Sequence, residues 1–171
     1  MEKATFAAGC YWGVQHIFDQ LKGVENSYVG FMGGDVDNPS YEEVYTDKTG
    51  HAEVVHFEYD PEKVSYENLL KLFWDIHDPT SLNKQGPDKG TRYRSAIFYH
   101  NEEQKEKAIK SRDELDNSDE FNKPIVTEIV PASTFYKAEE YHQKYYDKNG
   151  PDENCPTCSV VALLNMEDYQ D

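Results

Sequence analysis

From His51 to Tyr59 the side chains alternate, with Glu53, Val55, Phe57 and Tyr59 on one side and Ala52, Val54, His56 and Glu58 on the other. Only an extended strand keeps a period of two, so this segment must lie in a sheet with an apolar face. Segments of helical period flank it. After the short apolar run Lys3 to Ala8 come Val14, Ile17, Phe18 and Leu21, and after Asp60-Pro61 come Tyr66, Leu69, Leu70, Phe73, Trp74 and His77. Each set is the buried stripe of a helix, the second capped by Ser65 and stopped at Asp78-Pro79.

Further along, Val24 to Phe31, Thr91 to Tyr99 and Ile125 to Val130 have strand composition, while Asn101 to Leu115 forms a charged surface helix and Phe135 to Tyr146 an aromatic-rich one. Thr80 to Gly90 is polar and rich in turn formers, a loop of functional length. From Asn149 onward the chain reads as irregular. The predicted order β-α-β-β-α-β-α-β-α contains no repeat and no linker. It predicts an α+β two-layer sandwich, a mixed or antiparallel sheet covered by helices with a ferredoxin-like core. Residues 1–150 make one domain in this reading, and 151–171 a tail.

At 171 residues the chain is long enough to bury a substantial core. Asp and Glu number 33 against 17 Lys and Arg, a net charge of −16, which repels phosphate backbones and anionic lipid and excludes nucleic acid as an expected partner. The longest apolar run, Val160 to Leu164, is too short to cross a bilayer. Ala4 to Ala8 is too short for the core of a secretory signal. A cytoplasmic monomer is expected.

Three cysteines cannot form a disulfide framework. Cys10 lies at the strand-to-helix turn after Gly9, where a helix N-terminus favours the thiolate. The same position suits a buried cysteine packed as a small hydrophobe, and position leaves both readings open. Tyr11 and Trp12 follow, and two consecutive large aromatics at a turn cannot both enter one core, so one of them can wall a pocket for a small apolar group. Glu53 shares the apolar face of its strand. Burial there raises a carboxyl pKa toward that of a general acid, whereas a position at the strand end would still reach water. Tyr41, Asp88 and Tyr93 sit in or beside loops, where packing and turn chemistry are the commoner uses. His77 and His142 read as satisfied structural groups on helix faces.

Cys155-Pro156-Thr157-Cys158 has the spacing of a redox pair, yet it stands in the tail and not at the helix after an early strand. A zinc site would need further ligands from scattered histidines. A tail thiol able to travel to Cys10 is the simpler reading. No nucleotide-binding fingerprint is present.

Three segments together carry a resemblance: Gly9-Cys10-Tyr11-Trp12-Gly13, Asn38-Pro39-Ser40-Tyr41-Glu42-Glu43-Val44 and Thr49-Gly50-His51-Ala52-Glu53-Val54-Val55. They resemble the A-type peptide-methionine sulfoxide reductases. The likeness continues through Gly86-Pro87-Asp88-Lys89-Gly90, Tyr93-Arg94-Ser95-Ala96-Ile97 and Ala138-Glu139-Glu140-Tyr141-His142-Gln143, nearly to Asn149.

The resemblance implies reduction of the S-epimer of methionine sulfoxide, free or in a polypeptide, with no metal or prosthetic cofactor. It implies Cys10 as the attacking thiolate, Glu53 as the acid, Tyr41 and Tyr93 as donors to the sulfoxide oxygen, Asp88 as an orienting group, and Tyr11 and Trp12 as the methyl pocket. A second thiol, Cys155 or Cys158, would then convert the Cys10 sulfenic acid to a disulfide, recycled by thioredoxin or a similar dithiol protein. Which of the two attacks Cys10 stays open. Tyr11 stands where Phe is more usual in the motif, so its hydroxyl needs water or a partner, and activity is expected to survive the change. The competing readings are a general thiol-disulfide oxidoreductase acting through Cys155 and Cys158, which leaves Glu53, Tyr41 and Tyr93 without roles, and a metal-binding module without catalysis.

Overall fold

A computed structural model describes residues 1–150 and 155–171. β1 (Glu2–Ala8) turns at Gly9 into α1 (Tyr11–Phe18), and β2 (Val24–Met32) leads through a loop to the short α2 (Tyr41–Tyr45). Then come β3 (Ala52–Tyr59), α3 (Tyr66–Asp75), a small hairpin of β4 (Lys84–Gln85) and β5 (Asp88–Lys89), a 3₁₀ turn over Thr91–Tyr93, and β6 (Ser95–Tyr99). The chain continues with α4 (Glu102–Asp116), β7 (Glu128–Pro131), β8 (Tyr136–Lys137), a 3₁₀ turn over Glu140–His142, α5 (Tyr145–Asn149), α6 (Pro156–Val161) and a last 3₁₀ turn, Met166–Tyr169.

Six strands form one sheet in the order β7-β6-β1-β3-β2-β8. Its four central strands pair antiparallel in the order β6-β1-β3-β2, and with α1 and α3 as crossovers they make the β-α-β-β-α-β unit expected from the sequence. β7 adds in parallel to β6 and β8 antiparallel to β2, so the sheet is mixed. The fold is therefore α+β. Alternation decides which residues enter which core: Ala4, Phe6 and Ala8 of β1 join Val55 and Phe57 of β3 against Ile17 and Phe18 of α1 and Leu69, Leu70 and Phe73 of α3. Ala7, Val54, Ala96 and Phe98 point the other way, and Val130, Ala132 and Phe135 cover them.

The helix starts follow from their caps. The Ser65 and Asn101 side chains accept the N–H groups of Asn68 and Gln104. Ser40 and Glu43 form a reciprocal capping box that starts α2 at Tyr41, so this tyrosine sits in a first helical turn and not in the loop before it.

Five stretches differ from the sequence reading. Phe135 to Tyr146 is not a helix. Tyr136 and Lys137 pair with Phe31 and Gly30 as edge strand β8, Gln143 Oε1 accepts the Val29 N–H while Nε2 donates to the Val29 and Ala138 carbonyls, and Lys144 has φ +54, which no right-handed helix can continue. Thr80 to Gly90 contains the β4–β5 hairpin. Thr91 to Tyr93 forms a 3₁₀ turn, so the strand begins only at Ser95, and the expected Ile125 strand starts at Glu128. The described part of the tail holds α6 and a 3₁₀ turn, and the chain end is fastened by Gln170 Nε2 donating to the Lys22 and Lys63 carbonyls and by the Tyr169 hydroxyl donating to Asp75. Residues 151–154, which the sequence reading assigned to the tail, lie outside the described residues.

Candidate active site

The antiparallel order brings the C-terminal ends of β1 and β2 beside the N-terminal ends of β3 and β6: Ala8 faces Ser95, and Met32 faces Ala52. Every connection at this edge carries a residue singled out by sequence. Cys10 lies between β1 and α1, Tyr41 opens α2 beyond β2, Glu53 is the second residue of β3, and Asp88 and Tyr93 precede β6.

Cys10 is the N-cap of α1 and is half-buried. Gly9 makes the sharp turn possible with φ +94, and a Cβ there would lie 2.9 Å from Cβ of Gln85. Sequence position suggested a thiol pKa lowered by the helix. Instead the Cys10 thiol is pushed strongly up, first by burial and then by Glu53, with Asp88 adding to the effect. The N–H groups of Trp12 and Gly13 oppose this without cancelling it.

Glu53 is 2% exposed. Its position near the strand end does not bring it to water, because α1 covers it and the Tyr11 N–H donates to its Oε1 at 3.2 Å. Burial pushes its pKa up to about 8, helped by Asp88 and Asp47 and opposed by the Tyr11 N–H and the Arg92 guanidinium. At neutral pH the carboxyl therefore holds its proton. A neutral Glu53 also removes the charge that adds to the upward push on the Cys10 thiol, so the titrations of the two groups are coupled.

The phenols of Tyr41 and Tyr93 are raised, Tyr41 to about 12, in each case first by burial and next by Glu53. Both stay protonated as donors. Asp88 is half-buried and its pKa is raised by burial, with Arg92 opposing. Tyr11 and Trp12 part company. Tyr11 is 1% exposed and packs with Val29, Phe31, Val44 and Ala138 beneath the site, and its hydroxyl has no hydrogen-bond partner among the described residues. Half-buried Trp12 stacks on Tyr145 with ring centroids 3.8 Å apart and donates its indole N–H to His142 Nδ1.

Two further residues belong to this cluster. His142 read from sequence as a satisfied group, but it lies against Tyr11, Trp12 and Tyr41 with its Nε2 buried and without a partner among the described residues. Because Nδ1 accepts from Trp12, the ring proton sits on Nε2. Arg92 is a buried cation beside Tyr93. His142 stood inside one of the segments that carry the resemblance, and Arg92 directly before another. His77, by contrast, is satisfied, bonding the Phe73 carbonyl and the Ser95 hydroxyl.

The model of the peptide methionine sulfoxide reductase family matches residues 2–170. This chain belongs to that family. A peptide methionine sulfoxide reductase MsrA of Methanosarcina acetivorans is 59% identical over 150 residues, covering 88% of this chain and 80% of the relative. The reduced form of Mxr1 from Saccharomyces cerevisiae superimposes with a TM-score of 0.84 at 36% identity, covering 91% of this chain and 90% of the other. Mxr1 in complex with Trx2 superimposes with a TM-score of 0.60 at 27% identity over 84% of each chain.

Within this reductase fold the tail packs against the helix that Cys10 caps. α6 packs on α1, and a Cβ on Gly13 would lie 2.8 Å from Sγ of Cys155. Cys155 caps α6, accepting the Cys158 N–H at 3.0 Å, and is joined to Cys158 by a disulfide. Cys155 is buried and Cys158 half-buried. The motif thus does stand at a helix start, one that the tail itself supplies. A larger surface cavity of about 610 Å³ lies between α3 and α4, lined by Leu70, Trp74 and Leu115, away from all the groups above. No helix among the described residues is long and apolar enough to cross a membrane.

Proposed function

We propose that this chain reduces the S-epimer of methionine sulfoxide, free or peptide-bound, to methionine, and that a thioredoxin-type dithiol protein restores it. The observation that carries this reading is Glu53, a carboxyl held neutral at physiological pH at the turn that bears Cys10.

Sulfoxide sulfur is a poor electrophile until its oxygen is protonated. Tyr41 and Tyr93 donate hydrogen bonds to that oxygen, Glu53 gives it a proton, and the Cys10 thiolate attacks the sulfur. A bond forms between Cys10 Sγ and the substrate sulfur. The S–O bond then breaks as the hydroxyl passes to Sγ, and the sulfur–sulfur bond breaks with its electron pair going to methionine, so Cys10 is oxidised by two electrons to a sulfenic acid as the sulfoxide is reduced by two. Trp12 holds the methyl group while Tyr11 backs it from below, and Asp88 orients the substrate. The N–H groups of Trp12 and Gly13 favour the thiolate once Glu53 is neutral.

Cys155 then attacks the sulfenic sulfur, forming a Cys10–Cys155 disulfide and releasing water. Its Sγ against the first turn of α1 supports this order. Cys158 displaces Cys10 from that disulfide, and the resulting Cys155–Cys158 bond presents its more accessible sulfur, Cys158, to the reductant. All electrons come from thiols, so no prosthetic group is required. Residues 1–150 serve as the catalytic unit and the tail as its recycling arm. The cytoplasm, which keeps thiols reduced, suits this chemistry.

A stoichiometric assay with resolved epimers, with and without a dithiol, tests the proposal. Methionine formed from the S-epimer alone, with continued turnover only when dithiol is added, is the expected result. Equal reduction of both epimers, or none, rejects it.

A further inference from the structure

Arg92 is 7% exposed, and the chemistry just described gives it no task. Its guanidinium carbon lies 4.4 Å from the ring centroid of Tyr45 and 4.3 Å from that of Tyr93, between the two rings. Nη1 donates to the Tyr45 carbonyl at 3.3 Å and to Asp47 Oδ2 at 2.5 Å, and the Arg92 backbone N–H donates to Asp47 Oδ1 at 3.1 Å. Tyr45 and Asp47 stand at the far end of the helix that Tyr41 begins, and Tyr93 is the next residue after Arg92. One side chain therefore joins the element carrying the first tyrosine to the element carrying the second.

The joint is tight. Gly90 has φ +137, and a Cβ there would lie 2.4 Å from Asp47 Oδ2 and 2.7 Å from Nη1. Asp47 itself has φ +60, a conformation that an aspartate tolerates when its carboxylate is held. A buried guanidinium bonded through Nη1 to a carboxylate and flanked by two rings has little freedom left.

We propose that Arg92 is a positioning residue for sulfoxide reduction: it clamps the Tyr41 helix to the Tyr93 turn, so that both hydroxyls meet one oxygen, and it sets a permanent positive charge facing Glu53. The inference rests on the roles given above to Tyr41, Tyr93 and Glu53. Glu53 is faced by the Cys10 thiol and the Tyr11 phenol from α1, by Tyr41 from α2, by Asp47 from the following loop, by Asp88 from β5, and by Tyr93 and Arg92 from the 3₁₀ turn. Arg92 is the cation in that set. Burial alone would leave Glu53 a very weak acid, slow to release its proton. The guanidinium offsets part of that effect and stabilises the carboxylate left behind.

The test uses the full-length protein with S-epimer substrate and a dithiol, measuring kcat and KM across the neutral and alkaline range for Arg92→Met and Arg92→Lys, with unfolding curves for both. Arg92→Met is expected to lose about 10²-fold in kcat, as for a misplacement of roughly 1 Å, with a smaller change in KM. The alkaline limb of its kcat profile moves to higher pH, because Glu53 has lost its facing cation. Arg92→Lys keeps the charge and so keeps the limb in place, but an ammonium stacks poorly between the two rings and recovers only part of the rate. An unchanged kcat or an unmoved limb in Arg92→Met overturns the inference. Should that variant fail to fold, full kcat in folded Arg92→Lys overturns it. Wild-type protein that does not reduce the S-epimer refutes the underlying reading of the site instead.

Discussion

The backbone N–H of Tyr11 donates to Oε1 of Glu53 at 3.2 Å, tying the residue after Cys10 to the buried carboxyl. One end of α1 thus sets where both groups proposed to react stand. Replacement of Glu53 by Gln keeps the volume and an acceptor oxygen but removes the transferable proton. Rapid-quench measurement of the first methionine formed is expected to fall by about 10²- to 10⁴-fold, the range for loss of a general acid. An unchanged first turnover would remove Glu53 from that role.

The same carboxyl couples stability to pH. Its folded pKa, about 8, exceeds the value of 4.5 for an exposed glutamate. Stability is therefore full below the exposed value and declines as pH rises through about 8, because folding must then keep the proton on or bury a charge. Thermal unfolding of Glu53→Gln should match wild type at about pH 4 and exceed it by a few kcal/mol at about pH 9. Parallel curves at both pH values would contradict this.

On the opposite sheet face the Thr5 hydroxyl is shared by His56 Nδ1 at 2.7 Å and His100 Nε2 at 2.8 Å, with Phe135 stacked on His56. Burial first, and then His100, lowers the His56 pKa to about 4, and His100 is lowered by burial and by Lys3. Here the sign reverses. Stability is full above the ordinary histidine value and is lost as pH falls from it toward about 4. His56→Phe is expected to flatten part of the acid limb of the unfolding profile while leaving reductase activity at neutral pH; a limb identical to wild type would count against the coupling.

Gly13 leaves room for the tail, since a Cβ would sit 2.8 Å from Cys155 Sγ and 3.1 Å from Thr157 Cβ. Gly13→Ala should lift α6 from α1. Dithiol-driven turnover should then fall more than the first methionine released, and equal loss of both would argue that the substitution acts on Cys10 alone.

Cys155→Ser and Cys158→Ser distinguish the two sulfurs. Mass spectrometry after one round with S-epimer should find Cys10 bonded to Cys155 in the Cys158→Ser protein. In Cys155→Ser, capture of Cys10 should be slow. The reverse pattern would invert the order.

Much of this architecture was legible because alternation is a local signal. β1, β2, β3 and α3 follow from residue spacing, and Cys10 falls at a strand-to-helix junction that the apolar pattern marks. The helix expected over Phe135 to Tyr146 failed for a nonlocal reason: Gln143 bonds Val29 across the fold and β8 takes the sheet edge, and neither interaction leaves a trace in spacing. α6 was missed because its stability comes from packing on α1, far away in sequence. Glu53 could be placed on its apolar face but not judged dry, since α1, the element that covers it, lies far away in sequence. Arg92 and His142 were hidden by type, as an arginine and a histidine on the page do not reveal whether water reaches them.

The proposed nucleophile is residue 10, whereas the sulfurs proposed to regenerate it are at 155 and 158. The sulfur proposed to attack is synthesised before the sulfurs proposed to renew it, so its renewal must wait for the later segment. A prematurely terminated product could spend its thiol once and then stall as an acid of sulfur. Possession of both ends is thus what separates a catalyst from a single-use reagent.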